Sequence, residues 1–308
     1  MNYVCSDRGT EHCPCHLMEA GQCYTCTMVK EGCCSCEDRA GWQGTCPYSE
    51  YLQQGSLHRM NPWDRPAAFR ILSKTSFAPD LAVIRVEVSP GFAEQCRRAG
   101  TYMMAEAFGW RTPLSVLRCG PDFLEFLVKK TGVKTGYLME AAEQEGIWYM
   151  TGPYYNGLPG SESMKELPEL IIARGVAAAP LIHMLEGAKT TNYCVSHLDD
   201  EGLPALFVQE YLEGTPYERV SLRDEETQQY LRRLIQKHAE EGRLVLLLVS
   251  PYYAELFCRD LSDAQRTLVI RPNPANLCCA MGLCGSCSHT DEDGVTVKLC
   301  KCSRTVIK

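Results

Sequence analysis

The chain has 308 residues, 45% hydrophobic and 22% charged, enough for two or three domains around a substantial core. Its formal net charge of −7 argues against nucleic acid as the main partner. The longest strongly apolar run, "LVLLLV" at residues 244–249, is too short for a membrane span, and "MNYVCSDRGTEH" lacks the apolar stretch of a secretory signal, so a cytoplasmic location is expected.

Cysteine is the compositional outlier, with 19 in the chain. Nine fall in the first 46 residues, six lie between Leu277 and Cys302, and only Cys96, Cys119, Cys194 and Cys258 stand between the two groups. Thiols in a reducing compartment are not expected to pair as disulfides, so dense groups of them read as metal ligands, and the four middle ones as core or surface thiols.

The first element in chain order is the cysteine-rich segment 1–55. It has few large apolar side chains and needs metals or cross-links to order itself. "HCPCHLMEAGQCYTCTMVKEGCCSCEDRAGWQGTC" offers a CxC at Cys13 and Cys15, a CxxC at Cys23 and Cys26, then Cys34, Cys36 and Cys46 as candidate ligands. No ferredoxin pattern fits, and zinc or an additional iron–sulfur cluster is equally expected. His12 and His16 read as polar neighbours of the CxC.

"NPWDRP" at residues 61–66 reads as a linker. Residues 66–160 then read as short strands, "LAVIRVEV", "LSVLRC", "FLEFLVKK" and "GIWYMTGPYYNGLPG", separated by glycine turns, which predicts a small antiparallel β-barrel. Residues 165–270 change period. "PELIIARGVAAAPLIHMLEG" is a strand, a small-residue turn and a helix start. "ALFVQEYL", the polar helix "DEETQQYLRRLIQKHAEEG" and the strand "RLVLLLV" continue the alternation expected of a parallel α/β domain. The fold class expected is therefore α+β multidomain: a barrel, an α/β domain, and small cysteine-rich segments at both ends.

The last segment, 271–308, contains Cys279, Cys284, Cys287 and Cys300 in the spacing of a plant-type [2Fe–2S] site, three ligands on one loop and the fourth further along. Gly282 and Gly285 let the backbone wrap closely around a cluster. A zinc site more often shows two CxxC pairs. Cys278 and Cys302 flank the set, and "HTDEDGVTVKL" predicts a turn and one strand between Cys287 and Cys300. His289 reads as a surface turn residue, and His183 as a packed side chain. No Ser-His-Asp, paired-carboxylate or HExxH arrangement supports hydrolysis.

Three further stretches, "RTPLSVL" at residues 111–117, "TGPYYNG" at 151–157 and "IIARGVAAAPLI" at 171–182, stand in order before the terminal cysteine loop. Together they resemble the electron-transfer subunit of bacterial NAD-dependent dihydroorotate dehydrogenase, of the ferredoxin-reductase superfamily, over about residues 66–302. The resemblance implies an FAD on the barrel, with Arg111 at the pyrophosphate, Pro113 and Ser115 along the flavin, and Gly132, Lys134 and Thr135 forming the phosphate turn. The family's glycine-rich nicotinamide turn reads here as Ala-Arg-Gly-Val-Ala-Ala-Ala-Pro at residues 173–180. Arg174 and Ala177 put side chains where bare backbone should meet a pyrophosphate. Val249, Ser250 and Pro251 replace the family's later Cys-Gly-Pro. NAD(P) binding is therefore not expected.

The leading expectation is a flavin and iron–sulfur electron-transfer protein in complex with a redox partner such as a dehydrogenase or reductase subunit. The alternatives are a cluster-binding scaffold or sensor and an NAD(P)H-dependent oxidoreductase subunit.

Overall fold

The structure is a computed structural model that describes residues 3–5, 66–158, 161, 168–187, 197–273, 277, 287–290, 296–300 and 302–304. A short strand, β1 (Tyr3–Cys5), comes first. Six strands then build the barrel: β2 (Ala67–Ala78), β3 (Leu81–Glu87), β4 (Tyr102–Ala107), β5 (Trp110–Cys119), β6 (Phe123–Lys129) and β7 (Ile147–Tyr154). They close in the order β2-β3-β6-β5-β4-β7, every pair antiparallel. Successive side chains of a strand point to opposite faces, and those on the inner face fill the interior. Ile84, Val86, Met103, Ala105, Leu114, Val116, Leu124, Phe126, Trp148 and Met150 are buried in one cluster. Phe108 (φ 49°) and Gly109 (φ 78°) form the two-residue turn from β4 to β5, both left-handed as such a hairpin demands.

Two helices interrupt the barrel where only strands and turns are expected. α1 (Pro90–Gln95) starts at Ser89, whose hydroxyl accepts from the Phe92 N–H. α2 (Val133–Gln144) starts at Gly132 and buries Leu138, Met139, Ala141 and Ala142 against the barrel. The Trp148 indole N–H donates to the Leu138 carbonyl at 2.9 Å and fastens this helix to β7.

The second body has the strands β8 (Leu170–Arg174), β9 (His197–Asp199), β10 (Glu218–Arg219), β11 (Val245–Leu248) and β12 (Val269–Ile270). They form a parallel sheet in the order β10-β9-β8-β11-β12. α3 (Ala179–Gly187), α4 (Ala205–Leu212), α5 (Glu225–Glu240), α6 (Pro251–Cys258) and α7 (Asp263–Arg266) connect them. β8 and β11 carry continuous apolar runs because helices cover both faces of the sheet. Residues 205–212, to which the sequence assigned no element type, form a helix. Asp224 caps α5, accepting from the Thr227 N–H at 2.7 Å.

Barrel and sheet share one core: Leu81, Val83, Leu117 and Leu127 pack with Ile171, Leu181, Ile182, Phe207 and Tyr211. Glu125, 2% exposed on β6, sits at this seam. It accepts from Arg85 at 2.9 and 2.6 Å and from the Tyr211 hydroxyl at 3.2 Å. Arg118 lies over the Tyr211 ring and pairs with Glu186. A buried carboxylate with two cationic neighbours and a hydroxyl is satisfied, and removal of one partner would leave a costly buried charge.

The C-terminal segment forms a hairpin of two strands, β13 (Ser288–Thr290) and β14 (Thr296–Lys298), where one strand is expected. A final strand, β15 (Cys302–Arg304), pairs antiparallel with β1, setting Cys5 opposite Cys302. Among the described residues, no helix is long and apolar enough to cross a membrane.

Candidate functional site

The site grows from the outer face of three barrel strands. Met103, Ala105, Leu114 and Val116 point into the barrel core. The period-2 alternation of a strand therefore turns Tyr102, Met104 and Glu106 of β4, and Arg111, Pro113 and Ser115 of β5, to the outside. The register sets Tyr102 opposite Ser115, Met104 opposite Pro113, and Glu106 opposite Arg111. Side chains directly opposed in this way stand about 5 Å apart. Arg111 Nε donates to Glu106 Oε2 at 2.9 Å.

Next to this face begins α2. Gly132 is its N-cap, in extended conformation, and a side chain there would meet nothing within 4 Å. The Thr135 hydroxyl accepts from the N–H of Thr131 at 3.1 Å and of Gly132 at 3.3 Å. The 132–135 turn expected from the sequence is thus the first turn of a helix, where N–H groups and the positive end of the helix dipole favour an anion. Lys134 Nζ lies 5.7 Å from the centre of the Trp110 ring, which brings the start of α2 to the start of β5. Trp110 and Phe108 are half exposed.

The structure thus gathers Arg111, Lys134, a helix N-terminus with an open glycine, and an exposed indole around one hairpin. A guanidinium and an ammonium suit phosphates, a bare glycine permits close approach, and an exposed aromatic face accepts a planar ring. These residues fit the diphosphate and adenine of an FAD.

On the same outer face, Cys287 and Cys300 are 4% and 1% exposed and form one buried cluster with Tyr102, Met104, Tyr154 and Leu277. The Cys300 N–H donates to Cys287 Sγ at 3.4 Å. Tyr102 and Tyr154 stack with ring centres 5.3 Å apart. Two asparagines that the sequence did not single out clamp this segment. The Leu299 carbonyl accepts from Asn156 Nδ2 at 2.8 Å and from Asn273 Nδ2 at 2.6 Å. Asn273 also donates its backbone N–H to the Gly157 carbonyl at 2.7 Å. Gly157 itself must be glycine, because a Cβ there would lie 2.3 Å from the Gly100 carbonyl oxygen. Polar side chains just past the end of a strand, in "YYNG" and "RPNP", were the only sequence signal for these clamps.

Two thiols of the expected set, joined by an N–H···S bond and shielded from water, fit a [2Fe–2S] centre. Cys279 and Cys284 lie outside the described residues, as do Cys13, Cys15, Cys23, Cys26, Cys34, Cys36, Cys46 and Cys194. Cys96, Cys119 and Cys258 are buried, and burial pushes their thiols up, so they are inert core thiols.

The third region is the crevice at the carboxyl ends of β8 and β11, where the strand order of the parallel sheet reverses. Arg174 ends β8. Its Nε donates to Asp199 Oδ2 at 3.0 Å and its Nη2 to Glu201 Oε2 at 2.7 Å. Its guanidinium lies 5.0 Å from the centre of the Tyr253 ring. Burial works against the charge, but the bonds to Glu201 and Asp199 outweigh it and raise the Arg174 pKa. Val249 is buried, and Ser250 is the N-cap of α6.

No protein-family model matches the chain, and no curated protein matches its sequence. Solved structures do share its architecture. An NADH-dependent reduced ferredoxin-NADP oxidoreductase, described for flavin-based electron bifurcation, superposes with a TM-score of 0.53 at 20% identity, covering 76% of this chain and 86% of that one. Phthalate dioxygenase reductase, described as a modular structure for electron transfer from pyridine nucleotides to [2Fe–2S], gives 0.51 at 13% identity, covering 77% and 95%. The FAD-free form of the ferredoxin reductase in carbazole 1,9a-dioxygenase gives 0.50 at 15% identity, covering 67% of each chain. At these identities the likeness is one of fold: a closed barrel followed by a parallel α/β sheet, as in ferredoxin reductases.

Proposed function

We propose that this chain is a flavin and iron–sulfur electron-transfer protein that works in complex with a redox protein. One observation carries the reading. Cys287 and Cys300 are buried on Tyr102, Met104 and Tyr154, and Tyr102 and Met104 are the cross-strand partners of Ser115 and Pro113. A cluster on those cysteines would lie about one side chain from a flavin along β5.

In this reading Arg111 and the start of α2 hold the diphosphate of FAD, Ser115 hydrogen-bonds the flavin, and Trp110 offers its face to the adenine. Cys279, Cys284, Cys287 and Cys300 hold the [2Fe–2S] centre as thiolates. When bound, a flavin takes up electrons in pairs and a [2Fe–2S] centre carries them singly, which is why the two share a chain. The protein's part is placement. The Asn156 and Asn273 clamp fixes the Cys300 segment, and the stacked tyrosines keep water from the space between. The proposal includes the organisation 1–55, 66–160, 165–270 and 271–308, with zinc or a further iron–sulfur cluster on Cys13, Cys15, Cys23, Cys26, Cys34, Cys36 and Cys46. The finer likeness to the dihydroorotate dehydrogenase subunit rests on the motif residues alone.

The test is anaerobic purification with iron, sulfide, zinc and flavin assayed together. One FAD per chain with iron and sulfide is expected. Absence of flavin from protein that holds its iron would favour the scaffold or sensor reading instead.

A further inference from the structure

In a doubly wound sheet, a dinucleotide lies in the crevice outside the carboxyl ends of the strands, at the point where strand order reverses. Its diphosphate meets bare backbone after the first strand, and an acidic residue ending the second strand takes a ribose hydroxyl. In this chain those two places are the turn after β8 and Asp199 at the end of β9. Both are occupied by the protein itself. Arg174 reaches from the end of β8 to Asp199 and Glu201. Asp199 is spent. Its Oδ2 takes Arg174 and the Leu222 N–H at 2.9 Å, and its Oδ1 takes the Glu201 N–H at 3.0 Å. The loop after β9 lies over the turn, since a Cβ on Gly175 (φ +51°) would stand 3.1 Å from the Glu201 carbonyl oxygen. Tyr253 of α6 closes the other side of the guanidinium, and Arg223 holds Glu201 from outside.

We propose that Arg174 is a specificity-determining latch that keeps this crevice closed to pyridine dinucleotides. The inference rests on the electron-transfer reading for its consequence, namely that electrons enter from a protein. An arginine can also serve a dinucleotide site by taking the 2′-phosphate of NADP. Here the guanidinium is committed to two carboxylates and a ring.

The test is isothermal titration of the full chain with ADP-ribose, 2′-phospho-ADP-ribose and NADH. It reads binding directly, so it stands whether or not flavin or iron is present. Wild type should bind none of the three below the millimolar range. Arg174→Ser frees Asp199 for a ribose hydroxyl, and a hydrogen bond to a charged group is worth roughly ten- to a hundredfold in affinity. The variant should therefore bind ADP-ribose at least about tenfold tighter. If Arg174→Ser fails to fold, Glu201→Gln, at an exposed position, weakens the same latch and should tighten binding about threefold. A wild-type Kd below about 100 µM, within the usual range for enzyme substrates, would overturn the latch. So would variants that bind no better than wild type, or selective binding of the 2′-phosphate ligand by wild type.

Discussion

The backbone N–H of Cys300 points at the sulfur of Cys287 from 3.4 Å, although the two residues are 13 apart in the chain. The bond puts the third and fourth cysteines of the expected iron–sulfur set in one buried place, against Tyr102 and Tyr154.

For the cluster, reduced protein should give a rhombic S = 1/2 EPR signal, lost in Cys284→Ser and in Cys287→Ser. Bound zinc without iron in anaerobically prepared protein would rule out the assignment.

For the flavin, Arg111→Ala removes a charge-assisted phosphate contact worth about 1.5–3 kcal/mol, or roughly ten- to a hundredfold in affinity. The variant should purify largely without FAD. Glu106→Gln acts in the opposite direction, because it releases the guanidinium and removes a nearby negative charge. Flavin affinity equal in all three proteins would place the flavin elsewhere.

Asn273→Ala deletes the donor to the Leu299 and Asn156 carbonyls, bonds of 2.6 and 3.0 Å. Loss of such half-buried bonds costs about 0.5–1.5 kcal/mol each. Iron should leave this variant faster on exposure to a chelator, while barrel unfolding shifts little. Iron release at the wild-type rate would show that the clamp does not support the cluster.

The first 55 residues should depend on metal, since they have too little apolar surface to order themselves. Chelation, or serine at Cys23 and Cys26, should make this segment sensitive to protease while the barrel stays resistant. A metal-free 1–55 segment that resists protease under reducing conditions contradicts this.

Acid should weaken the fold through two buried histidines. His183 and His197 are 5% and 3% exposed, and burial pushes both pKa values below the usual imidazole value. A group whose folded-state pKa is depressed stabilises the fold above its unfolded value, here near pH 6.5, and loses that contribution as pH falls toward the folded value. Each histidine can contribute a slope of up to about 1.4 kcal/mol per pH unit in that window. Denaturant melts at pH 7.5 and 5.5 measure it, and His183→Asn should flatten the difference. An unchanged slope would mean that His183 does not titrate with unfolding.

Much of this architecture is local and therefore legible. The apolar, β-branched runs "LAVIRVEV" and "FLEFLVKK" encode barrel strands, which fill the barrel with one face and meet the core shared with the sheet with the other, and unbroken apolar runs in "LIIA" and "VLLL" encode strands covered on both faces. The spacing of Cys279, Cys284, Cys287 and Cys300 is also a local property, because a loop must wrap its own ligands. The helix at residues 133–144 escaped because its mixed face, "YLMEAAEQ", gains stability from barrel contacts and the Trp148 bond rather than from a clear apolar stripe. The helix at 205–212 escaped for the same reason, since Phe207 and Tyr211 bury into the shared core of barrel and sheet. The sequence by itself determined some of the barrel strands and the central strands of the sheet, the order of barrel and sheet, and the candidate ligands. The tertiary structure alone decided what those residues face: Cys287 and Cys300 on the partners of Ser115 and Pro113, Asn156 on a carbonyl 143 residues away, and Arg174 between Asp199 and Glu201. Such pairings depend on strand register and on loops folded across the sheet, and no periodicity within a short stretch of chain carries that information.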